Sequence, residues 1–125
     1  MRETATVSIV DDDESVRESV SALVRSLGYT PYTYPSAEDF LNSAAEESPD
    51  CLVADIQMPG MNGIELQQAL ATKGSKLPII FITAFPEDHV KQKLLAADAL
   101  CLLRKPCDGD VLASCIESAL TSRKG

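Results

Sequence analysis

The chain has 125 residues, 45% of them hydrophobic and 24% charged, a mix that fits one compact domain with its own core and excludes a disordered or low-complexity segment. Its 11 basic and 19 acidic residues leave a net charge of −8, which argues against a nucleic-acid interface, because affinity for phosphates comes largely from Lys and Arg. The longest apolar runs, such as Pro78 to Ile82, fall far short of the ~20 residues of a membrane span, and the acidic residues close behind Met1 exclude a signal peptide.

Five apolar runs alternate with amphipathic stretches. Ala5 to Val10, rich in β-branched residues, is predicted as a strand and ends abruptly at Asp11-Asp12-Asp13. Asp13, with Ser15, is placed to cap a helix in which Val16, Val20, Leu23, Val24 and Leu27 form one stripe, with Gly28 at its C-terminal cap. Tyr29 to Tyr34 reads as a strand whose Pro31 marks it as an edge. Ser36 and Asp39 resemble a capping box that opens a helix through Phe40, Leu41 and Ala44. Cys51 to Ala54 is a short buried strand stopping at Asp55, followed by a loop with Pro59, Gly60 and Gly63 and a helix from about Ile64 to Lys73.

Leu77 to Thr83 is the most hydrophobic run and is predicted as a central strand. Pro86 suits the first turn of a fourth helix with Val90, Leu94 and Ala97 facing inward. Ala99 to Leu103 makes the fifth strand, closed by Arg104-Lys105-Pro106, and Asp108 is placed to cap a last helix carrying Val111, Leu112, Cys115, Ile116, Ala119 and Leu120 on one face. The cysteines at 51, 101, 107 and 115 show no CxxC pair and no His at ligand spacing, so they read as reduced thiols in a cytoplasmic protein.

Five β-α units predict a parallel sheet with helices on both faces and right-handed crossovers. The expected fold is α/β, a flavodoxin-like doubly wound (βα)5 domain over residues 1–125 with strand order 2-1-3-4-5. In such folds ligands bind at the C-terminal ends of the strands, at the switch point between strands 1 and 3.

At those ends the sequence gathers Asp11 and Asp12, Asp55, Thr83 and Lys105: three carboxylates, a hydroxyl and an ammonium. Each has a plain alternative. The acidic triplet could serve only as a helix cap, Thr83 only as a β-branched strand residue, and Lys105 only as a solvated charge. Together, clustered carboxylates repel, which favours a hard cation with oxygen ligands such as Mg²⁺, or Mn²⁺ in its place. Asp12 is the main metal-ligand candidate, with Asp11 in an outer role. Asp55 can act as a nucleophile on phosphorus, because a carboxylate is already ionised at neutral pH and needs no general base. The metal and Lys105 would neutralise charge around the transferring group. The single histidine, His89, reads as a solvated bystander.

Val10-Asp11-Asp12-Asp13, the segment from Asp55 through Pro59-Gly60 to Gly63, Thr83-Ala84 and Lys105-Pro106 resemble, in order and spacing, the signature of the receiver domain of two-component response regulators. Asp11 to Tyr29 and Ser36 to Leu41 are most similar to the FixJ type. The resemblance implies phosphorylation of Asp55 by a partner histidine kinase, with Mg²⁺ held by Asp12, Asp55 and the backbone carbonyl of Gln57, and Asp11 assisting. It implies contacts to the phosphoryl group from Lys105 and the Thr83 hydroxyl, space beside the site at Ala84, and tuning of phosphoryl lifetime by the Gln57 side chain. It further implies a changed surface on the fourth helix, fifth strand and fifth helix, used for dimerisation or for control of a transcriptional output. On this basis the chain promotes its own phosphotransfer but is not an enzyme with a separate substrate. The end at Ser122-Arg123-Lys124-Gly125 is compatible with a terminus or with the start of a linker.

Leu102 departs from the family, which usually carries Tyr or Phe there as a rotamer switch coupled to the Thr. It is the support for an alternative, a receiver-fold interaction domain with a disabled or atypical switch. Cys107 stands where Phe is common, and Asp98 in Ala97-Asp98-Ala99 where Gly is more usual. A haloacid-dehalogenase-type hydrolase would want a second carboxylate where Gln57 stands, and a flavodoxin-type carrier a Ser/Thr/Gly-rich loop where Asp11-Asp12-Asp13 stands.

Overall fold

A computed structural model describes residues 5–43, 49–74, 77–83, 101–104 and 109–124. The predicted fourth helix, with His89, lies outside them, as do Ala44, Ala84, Asp98, Lys105, Pro106, Cys107 and Asp108. The elements are β1 (Thr6–Val10), α1 (Glu14–Ser26), β2 (Thr30–Tyr34), α2 (Ala37–Ser43), β3 (Cys51–Asp55), α3 (Gly63–Thr72), β4 (Ile79–Thr83), β5 (Cys101–Arg104) and a C-terminal helix (Gly109–Lys124). All neighbouring strands are parallel, in the order β2-β1-β3-β4-β5. That is the expected flavodoxin-like order, and it puts the Pro31 strand at an edge.

Burial follows from this order. Every residue of β3 and β4 is buried, as expected of strands covered on both faces, whereas β2 is mostly exposed or half-buried. Side chains alternate between two cores. Ile9, Val53, Ile80 and Ile82 meet Val24 of α1 and Leu112 and Ile116 of the C-terminal helix. Val10, Leu52, Ala54 and Phe81 meet Phe40 of α2 and Leu66 of α3. Each Val, Leu, Ile or Phe among them contributes roughly 1.5–3 kcal/mol when fully buried, so the two-sided packing fixes the strand register that sets the rim.

The helix ends follow local chemistry. The Asp13 carboxylate accepts the backbone N–H of Ser15 at 2.9 Å and its hydroxyl at 2.8 Å, capping α1 as expected. At the other end Gly28, at φ +90°, donates to the Arg25 carbonyl while Tyr29 donates to that of Val24, a Schellman closure that needs the left-handed residue. Ser36 accepts from the Asp39 N–H at 3.1 Å, one half of the expected box. The full capping box lies elsewhere: Asn62 and Glu65 exchange bonds of 2.8 and 2.9 Å and start α3 one residue before the expected Ile64. The fifth strand runs Cys101–Arg104, one residue past the predicted end at Leu103, while Ala99 and Leu100 lie outside the described residues.

Ser8 sits in register between Tyr32 and Leu52. It is fully buried, and among the described residues its hydroxyl has no hydrogen-bond partner. A bare buried hydroxyl costs free energy without return. Ser8→Ala is therefore expected to leave denaturant stability unchanged or raise it by up to ~1 kcal/mol; a loss larger than that would show that the hydroxyl is satisfied.

Candidate functional site

The rim at the C-terminal ends of β1, β3 and β4 carries the acidic site. Pairing of Val10 with Ala54 and of Asp55 with Ile82 sets the levels at which the strands end. Asp11 follows β1 and is fully buried, Asp55 ends β3 with 3% exposure, and Thr83 ends β4 fully buried. Asp12 is exposed. One carboxylate oxygen from each of Asp11, Asp12 and Asp55 lies within 4.8 Å of the others. Two unit charges at 4.8 Å repel by roughly 3–4 kcal/mol at an effective dielectric of ~20. The donor set is all oxygen, concentrated in charge and open to solvent on the Asp12 side, which fits a hard divalent cation.

The local backbone holds the carboxylates in place. Asp11 Oδ1 accepts the Asp13 N–H at 2.9 Å, and Asp55 Oδ1 accepts the Gln57 N–H at 3.2 Å. The Arg17 guanidinium reaches back from α1 to the Asp11 carbonyl at 2.7 Å. Gly63 starts α3 tight against the end of β3. Its N–H donates to the Ile56 carbonyl at 2.9 Å, and a Cβ there would stand 2.6 Å from the Asp55 carbonyl oxygen.

Gln57 does more than the sequence indicated. Its side-chain oxygen accepts the Thr83 hydroxyl at 2.7 Å, so Thr83 is engaged by the loop that follows Asp55. Of the other expected site residues, Lys105 and Ala84 lie outside the described residues. Leu102 pairs in register with Phe81 through its backbone, while its side chain lies outside what is described. Neither Cys51 nor Cys115 is in a disulfide.

The sequence model of the response regulator receiver domain matches residues 7–117. The chain belongs to that family. This receiver is 36% identical over 116 residues to the transcriptional regulatory protein TdiR of Thauera aromatica, covering 93% of the chain and 51% of the relative. It is 32% identical over 114 residues to FixJ of Bradyrhizobium diazoefficiens, covering 91% of the chain and 56% of that relative. Among solved structures, the response regulator StyR superposes with a TM-score of 0.88 at 39% identity, covering 98% of this chain and 62% of that one. The FixJ-N crystal structure superposes at 0.86 and 33% identity, covering 97% of this chain and 96% of that one. The receiver thus spans about half the length of the curated relatives it matches.

Glu38 was not singled out by its sequence context, yet it braces the site loop. From the first turn of α2 its Oε2 accepts the Met61 N–H at 3.0 Å. Gly60, at φ +75°, turns the chain there, and a Cβ on it would stand 2.8 Å from that same carboxylate oxygen. Amide exchange at Met61 is expected to quicken roughly 3- to 10-fold in Glu38→Ala. An unchanged rate would mean that the loop holds itself.

Proposed function

We propose that Asp55 is the phospho-acceptor of this receiver and that Asp11, Asp12 and Asp55, with the backbone carbonyl of Gln57, hold a Mg²⁺ or Mn²⁺ ion. The supporting observation is the convergence of the three carboxylate oxygens within 4.8 Å at the strand ends. The ion supplies charge neutralisation for an incoming phosphoryl group. The Asp55 carboxylate attacks phosphorus, an Asp55 O–P bond forms, and the P–N bond to the donor's histidine imidazole breaks, the imidazole leaving as the neutral base once protonated. Positioning and electrostatics carry such a transfer. Thr83 donates its hydroxyl to a phosphoryl oxygen, Lys105 pairs with another, and Ala84 leaves room beside them.

The partner in this proposal is a sensor histidine kinase. Phosphorylation shifts a balance between two conformers, and the changed surface on the predicted fourth helix, β5 and the C-terminal helix supports dimerisation or contact with an output domain. Several relatives carry names of transcriptional regulators, which supports transcription control as the output of a longer protein in which residues 1–125 are the receiver. Among the described residues no helix is long and apolar enough to cross a membrane, which is compatible with action in the cytoplasm. The protein has no separate substrate in this scheme and acts as a switch rather than an enzyme.

The test is intact mass after incubation with acetyl phosphate, with and without Mg²⁺. One Mg²⁺-dependent phosphoryl adduct is expected on the wild type and none on Asp55→Asn. Absence of an adduct on folded wild-type protein, under conditions that label a known receiver, would instead support the disabled switch to which Leu102 points.

A further inference from the structure

We propose that the Gln57 carboxamide is a positioning group that holds Thr83 in the unphosphorylated arrangement and so sets how readily the receiver switches. This rests on Asp55 being the phospho-acceptor. It gives the Gln57 side chain a role before any phosphoryl group arrives, exerted through Thr83.

Thr83 is fully buried at the end of β4, and its Oγ1 donates to Gln57 Oε1 at 2.7 Å, the favoured length for an O–H···O bond. Gln57 is exposed, and its backbone N–H donates to Asp55 Oδ1 at 3.2 Å. One residue therefore binds the acceptor carboxylate through its main chain and Thr83 through its side chain. A threonine hydroxyl carries a single proton to donate. A phosphoryl oxygen on Asp55 and the Gln57 carboxamide both require that proton, so the two bonds exclude each other.

The consequences of breaking the resting bond are unequal at its two ends. Gln57 is exposed, and its Oε1 passes to water at little cost. Thr83 is buried, so its proton needs a replacement acceptor inside the protein. A phosphoryl anion provides a stronger, charge-assisted one. The exchange therefore runs towards the phosphoryl group after transfer and back to Gln57 after hydrolysis. One neutral hydrogen bond biases such a balance by roughly three- to tenfold, enough to tune a switch that needs a far larger factor to be thrown completely.

Beryllofluoride with Mg²⁺, as a stand-in for the phosphoryl group, tests this on the full 125-residue chain. Gln57→Leu removes the acceptor at an exposed position. It is expected to tighten beryllofluoride binding roughly three- to tenfold and, without beryllofluoride, to move the Thr83 methyl resonance towards its bound-state position. In a Thr83→Val background the same substitution should change affinity by less than about twofold, because the coupling runs through the hydroxyl. An equal gain in both backgrounds, or none in the wild-type background, overturns the proposal. If beryllofluoride fails to bind the wild type at all, the acceptor function falls and the proposal with it; binding that is insensitive to Gln57→Leu overturns this proposal alone.

Discussion

Asp11 and Asp55 are buried, Asp12 stands at the rim, and an oxygen from each lies within 4.8 Å of the others. No isolated loop would keep three like charges that close. The sheet does so because β1 and β3 are adjacent, parallel and in a register fixed by apolar residues packed on both faces. The packed core holds the acidic rim together, and the rim is where a cation has most to offer. The stability of the domain and its proposed chemistry are thus coupled through one electrostatic constraint.

The surrounding loops are arranged to bear that constraint. Backbone N–H groups of Asp13 and Gln57 lie on the two buried carboxylates. Gly63 admits a carbonyl approach that any side chain would block. The Asn62–Glu65 box then fixes the start of α3, and Glu38 ties the intervening turn to α2. Thr83 is drawn into the same assembly by Gln57. The loop after Asp55 consequently links that carboxylate to the end of the neighbouring strand.

Much of this was legible in the sequence, for identifiable reasons. The apolar runs Cys51 to Ala54 and Leu77 to Ile82 announce buried strands, the second of them central, Pro31 announces an edge, and the placement of Asp11, Asp12, Asp55 and Thr83 at strand ends follows from the alternation. Asp13 and Gly28 act at the helix ends where their chemistry put them. The Asn62 box is encoded in an Asn-Gly-Ile-Glu spacing, but the turn signals of Pro59 and Gly60 ahead of it dominate that loop. Contacts between residues distant in sequence were not legible. Glu38 meets Met61 and Gln57 meets Thr83 only because α2, the β3–α3 loop and β4 converge in space, and no local pattern encodes that. The alternation places Leu102 in the fifth strand, and the sheet register sets it opposite Phe81; the effect of Leu in place of an aromatic ring there is a matter of side-chain packing that periodicity does not carry.

The most direct test of the electrostatic constraint is thermal unfolding of the wild type and Asp12→Asn, each in chelator and in Mg²⁺. If crowded carboxylates strain the rim and a cation relieves them, Asp12→Asn melts a few degrees above the wild type in chelator, and Mg²⁺ raises the wild type far more than the variant. A variant that melts no higher in chelator, with Mg²⁺ moving both proteins equally or neither, would contradict the account.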